Sequence, residues 1–139
     1  TRFVFGDWSS DVCSSDLQRI FRAMTTNPDM VAGPGAFDTT LMEVGAGQIL
    51  TKGGAEGYQA IAVLPGACGA GSPAYGITIK ISDGDLFNAR ARTIVAVEVL
   101  RQLGALDPHQ LEQLKDFTDR PQHNWKHLEV GRITFLRTL

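Results

Sequence analysis

Apolar residues recur along this chain at two spacings, and the point where one gives way to the other separates helices from strands. Residues 18–30 set Ile20, Phe21, Met24 and Met30 among polar neighbours at helical spacing, with Pro28 ending the helix near Thr26. Methionine at such spacing usually fills gaps in a core, so these side chains are expected inside and not around a ligand. Ala32-Gly33-Pro34-Gly35 is a turn cluster, after which Asp38, Thr39 and Thr40 are available to cap a short helix through Met42 and Val44. The period then changes to two. Residues 47–52 (GQILTK) read as a strand closed by Gly53-Gly54, and residues 58–64 (YQAIAVL) as a second strand bounded by Pro65-Gly66, together a hairpin. Residues 75–82 alternate Ile77, Ile79 and Ile81 with Thr78 and Lys80, the pattern of a half-buried strand ending at Asp83-Gly84.

Helical spacing returns over residues 87–103, with Ile94, Val95, Val97, Val99, Leu100 and Leu103 apolar and Gly104 as a stop. Asp107-Pro108 opens another helix as cap and first-turn proline, placing Leu111, Leu114 and Phe117 on one face. Beyond Pro121 the pattern weakens to one short strand expected over residues 130–136. Residues 7–17 (DWSSDVCSSDL) show neither period. Their order resembles the translation of a sequencing-adapter oligonucleotide, so residues 1–17 are expected to be a non-native tail, disordered or irregular. Residues 18–139 are then the C-terminal part of a longer domain.

Composition narrows the partners more than the fold. With 139 residues and 43% hydrophobic content, one compact domain is expected. Thirteen basic residues against fifteen acidic ones build no field suited to nucleic acid or an anionic membrane surface. The apolar run at residues 94–100 is interrupted by Glu98 and falls far short of the roughly 20 residues that span a bilayer. Cys13 and Cys68 lack C-x-x-C spacing, and no signal-peptide pattern opens the chain, so a reducing, cytoplasmic setting is expected.

The candidate chemistry centres on Lys52. A lysine at a strand end followed by Gly53-Gly54 can approach a bound molecule closely, as the K-T-G strand of serine-lysine acyl enzymes does. As a bare tripeptide the signal is weak, and a solvated lysine before a turn explains it as well. The order strand, strand, strand, long helix strengthens it. Glu56 either orients Lys52 or closes the turn. Asp38 is either a helix cap or an oxygen ligand. His123 and His127 have i, i+4 spacing but no third ligand in sequence, and Gly69-Ala70-Gly71 precedes a strand where a phosphate-binding loop needs a helix. Cys68 has no nearby cation in sequence to activate it and reads as inert.

Val31-Ala32-Gly33, Phe37-Asp38-Thr39 with Leu41-Met42, and Lys52-Gly53-Gly54-Ala55-Glu56-Gly57 together resemble the L-asparaginase II family, of the thermolabile, rhizobial type. Lys80-Ile81 with Asp83-Gly84, the run from Ala89 to Arg92, Leu100-Arg101-Gln102-Leu103-Gly104, and Asn124-Trp125 with Val130-Gly131 extend the likeness over residues 18–137. The resemblance implies an α/β fold similar to serine β-lactamases and glutaminases, with an antiparallel sheet packed with helices. It also implies hydrolysis of L-asparagine to L-aspartate and ammonia through a lysine-activated serine, and a homodimer. Lys52 would be catalytic, Gly53, Gly54 and Glu56 would line the substrate, and Asp38 would stand where zinc-binding relatives carry a cysteine ligand. To take a proton near neutral pH a lysine needs burial or a cationic neighbour.

The chain departs from a complete enzyme in that none of its serines begins an S-x-x-K. The nucleophile is therefore expected upstream, leaving residues 18–139 an inactive fragment; no cofactor is required by this sequence, and whether the full-length enzyme holds zinc stays open. A non-catalytic binding domain on the same scaffold is the alternative from another class. Glutamine or a β-lactam is the alternative substrate.

Overall fold

The computed structural model describes residues 11–82 and 91–135. In chain order these form α1 (Asp11–Thr26), α2 (Asp29–Ala32), α3 (Phe37–Val44), β1 (Ile49–Gly54), β2 (Tyr58–Val63), β3 (Tyr75–Lys80), α4 (Arg92–Gln102), α5 (Pro108–Gln113), α6 (Lys115–Thr118), β4 (Pro121–His123) and β5 (Glu129–Arg132). The fold class is the expected one, mixed α/β with an antiparallel three-stranded sheet in the order β1-β2-β3 and helices packed with it. The chain divides into two compact units where one was expected from length: Thr1–Lys52 with Ala60–Thr78, and Gly53–Gln59 with Ile79–Leu139. The expected turn at Asp83-Gly84, the start of the helix at Phe87, the end of the last strand at Leu136 and residues 1–10 lie outside the described residues.

In the first unit α1 ends at Thr26 as the proline predicts, the Asn27 amide closing on the Ala23 carbonyl at 3.2 Å. It begins at Asp11, so residues 11–17 are helical and not irregular. Residues 15–20 are exposed and need no apolar face, and Arg19 reaches Asp16 one turn away at 3.5 Å. Phe21 is buried, and Ile20 is turned outward because neighbours on a helix point about 100° apart. The methionines do not all fill the core. Met42 is fully buried and Met24 half-buried, while Met30 on the single turn α2 is exposed. Phe37, Leu41, Met42, Ile49, Ile61, Val63 and Ile77 are also buried in this unit.

The strands obey the two-residue period. Ile49 and Thr51 of β1, Gln59, Ile61 and Val63 of β2, and Ile77 and Ile79 of β3 are buried, and the residues between them are not. The turn from β1 to β2 holds Glu56 at φ 56° and Gly57 at φ 67°, the paired positive angles of a primed hairpin turn. Gly57 is required there twice over, since a Cβ would also lie 2.9 Å from the Ile81 carbonyl oxygen.

In the second unit α4 buries Thr93, Ile94, Ala96, Val97 and Leu100, a stripe at helical spacing. The Thr93 hydroxyl donates to the Phe117 carbonyl at 2.7 Å, tying α4 to α6. Glu98 accepts from Arg101 at 2.7 and 2.8 Å, and that contact, helped by Gln102, holds the carboxyl below its usual range. Asp107 and Gln110 form a reciprocal capping box, each bond 2.8 Å, with Pro108 in the first turn as expected. The helix they open is two short ones, α5 and α6, joined at buried Leu114. Past Pro121 a hairpin replaces the single expected strand. β4 pairs antiparallel with β5, Pro121 opposite Arg132, and the Asn124 carboxamide accepts the Lys126 and Leu128 amides at 2.9 and 3.1 Å in the loop. The weak pattern there has a cause: every residue of β5 is exposed, so no face had to be apolar.

Candidate active site

Lys52 lies on β1 with its side chain 54% exposed, and its Nζ stands 3.9 Å from Oδ2 of Asp38, whose side chain is only 7% exposed. The route between them explains the approach. Gly45, Ala46 and Gly47 make the connection from α3 to β1, with the Gly45 amide donating to Leu41 and the Gln48 amide to Gly45, both at 2.9 Å. Ala46 and Gly47 take φ 46° and 80°, and a Cβ on Gly45 would sit 2.8 Å from the Ile49 Cβ. So close a turn lays the strand beside the helix that precedes it.

Asp38 sits in the first turn of α3, whose N-cap is Ala36, so neither Asp38 nor Thr39 nor Thr40 occupies the cap position. Its carboxylate still benefits from the positive end of the helix. Thr39, buried beside it, donates to the Gly33 carbonyl at 2.6 Å and lies 3.1 Å from that of Pro28. Thr40 donates back to Ala36 at 3.1 Å. Sequence reasoning offered Thr39 as a cap; its actual part is to pin α3 to the preceding loop, which fixes where Asp38 stands.

The remaining predicted residues divide. Gly54 leaves room for Tyr58, whose ring carbon would lie 3.0 Å from an added Cβ. Glu56 is exposed in the turn and faces Lys80: its carboxylate lies 3.2 Å and its carbonyl 2.6 Å from the Lys80 ammonium. That geometry gives Glu56 a turn-closing contact with Lys80. Lys52 also borders an open concavity of about 210 Å³ on the sheet, lined by Leu50, Ala60, Ala62, Gly76 and Thr78 among others.

A family model described as L-asparaginase II matches residues 4–135. The chain belongs to the L-asparaginase II family. Among curated proteins none matches it. The asparaginase motifs quoted from the sequence thus fall on identifiable parts of the structure, with Asp38 on α3 and Lys52-Gly53-Gly54 on β1.

For zinc, the described residues offer Asp38 as one oxygen donor with an ammonium beside it, and no three of His, Cys, Asp and Glu converge among them. This is not in itself a zinc site, which takes three or four donors. His123 ends β4 and His127 sits at φ 58° in the hairpin loop, both exposed. Burial pushes the Cys68 thiol up, away from the reactive thiolate. Among the described residues no helix is long and apolar enough to cross a membrane.

Proposed function

We propose that this chain carries the lysine half of an asparaginase acyl-enzyme site, on a β-lactamase- and glutaminase-like fold. What supports the reading is one conjunction: a chain matched to the L-asparaginase II family over residues 4–135 carries Lys52-Gly53-Gly54 on a strand, with Lys52 bordering an open concavity. In the proposed reaction a serine oxygen attacks the side-chain amide carbon of L-asparagine. The tetrahedral oxyanion collapses, the carbon-nitrogen bond breaks, and ammonia leaves with the proton passed through lysine. Water then adds to the ester carbon, releasing L-aspartate and returning the proton to serine.

None of the chain's serines begins an S-x-x-K, so the nucleophile in this reading is supplied from outside these 139 residues. Gly53, Gly54 and Glu56 border the substrate. The same reading includes a homodimer, a cytoplasmic setting, and neither nucleic acid nor membrane as partner. No step is routed through a metal.

Ammonia release from L-asparagine tests it. The 139-residue chain alone should release none, and the chain joined to an upstream segment bearing S-x-x-K should release it. Lys52→Ala in the joined protein should then lower kcat at least about a hundredfold, as loss of a proton-transfer group does. An alanine variant with undiminished turnover would overturn the role of Lys52. Turnover of glutamine or a β-lactam in preference would change the substrate and leave the chemistry.

A further inference from the structure

A lysine has four rotatable carbon-carbon bonds and strong hydration, so a half-exposed one normally samples many directions. Lys52 stands on β1, and what gives it a direction must come from beside it. Three observations converge on Asp38. Its carboxylate is buried, and a buried charge is retained only where an opposite charge or hydrogen bonds compensate it. The Lys52 ammonium lies 3.9 Å away, close enough for charge pairing and too far for a direct hydrogen bond. The backbone under Asp38 is held on both sides, by the Thr39 hydroxyl bond to Gly33 before the helix and by the tight Gly45-Ala46-Gly47 connection after it. The carboxylate is therefore a fixed point, and the lysine is the partner with freedom to lose.

We propose that Asp38 is a positioning residue for Lys52: a carboxylate anchored in the first turn of α3 holds the ammonium of β1 in one direction beside the concavity on the sheet. The inference rests on Lys52 being the catalytic lysine for its functional weight, yet the positioning itself can be tested without turnover. It differs from a cap, because Ala36 occupies the cap position, and from a metal-ligand role, because it gives the carboxylate a cation already within the chain.

The test is the mobility of the lysine ε-methylene groups in the full chain, read by relaxation of carbon-13-labelled lysine, with Lys52→Arg supplying the assignment. In the unsubstituted protein Lys52 should move less than Lys126, which is exposed in the loop of the β4–β5 hairpin. Asp38→Asn, nearly the same shape without the charge, should raise Lys52 to the mobility of Lys126. Asp38→Glu, which restores the charge one methylene further out, should recover a substantial part of the restriction. Lys52 as mobile as Lys126 in the unsubstituted chain overturns the proposal, as does an unchanged Lys52 in a folded Asp38→Asn protein. Should Asp38→Asn fail to fold, the unsubstituted chain and Asp38→Glu still decide. An inactive joined enzyme with a restricted Lys52 would refute the catalytic reading alone, and an active one with a freely moving Lys52 would refute the positioning alone.

Discussion

Two lysines of this protein are almost equally exposed, Lys52 at 54% and Lys80 at 53%, yet they sit in different kinds of pair. Asp38, across from Lys52, is 7% exposed; Glu56, across from Lys80, is 66% exposed. Distance alone would rank them the wrong way, since the Lys80 pair is the shorter at 3.2 Å against 3.9 Å. A carboxylate already in water gains little from a neighbouring ammonium, whereas one withdrawn from water depends on whatever compensates it. The burial of the acceptor, and not the closeness of the donor, decides which pair matters.

The largest expected effect falls on the backbone under the exposed pair. Gly57→Ala puts a side chain at φ 67° and a Cβ 2.9 Å from the Ile81 carbonyl, so it should cost about 2–3 kcal/mol in urea unfolding followed by circular dichroism. A smaller value would mean the turn can relax. Next comes Lys52→Met, which leaves the Asp38 carboxylate buried without this cation. Breaking a fully buried pair costs several kcal/mol, and with Lys52 half in water about 1–2 kcal/mol is expected from the same unfolding measurement. Smallest is Glu56→Gln, expected within about 0.5 kcal/mol of the unsubstituted protein. If Glu56→Gln and Lys52→Met cost the same, the distinction between the two pairs is void.

Much of the fold was legible because periodicity follows burial. The alternation of Ile77, Thr78 and Ile79 and the Asp107-Pro108 start each rest on local chemistry, and the structure reproduces both. The β4–β5 hairpin was not legible as such, because β5 buries nothing and its turn depends on one Asn124 side chain. The helix at residues 11–17 escaped for a related reason: residues 15–17 are exposed, so they needed no apolar stripe. Of the site, Lys52 and Asp38 were both visible as residues, but their pairing was not. It depends on the sharpness of the Gly45-Ala46-Gly47 connection, where Ala46 adopts a left-handed angle that its residue type does not announce. Glu56 was read as either Lys52's partner or a turn residue, and only the spatial return of β3 shows Lys80 as the ammonium it meets.

The hairpin beyond Pro121 carries Trp125 with its whole side chain in water. An indole already hydrated in the native state changes its emission little when the chain unfolds, so fluorescence from Trp125 would register almost nothing of a melting transition. Thermal or urea curves for this protein should be drawn from far-ultraviolet circular dichroism, and a flat tryptophan signal from that position taken as the optical mark of an exposed loop.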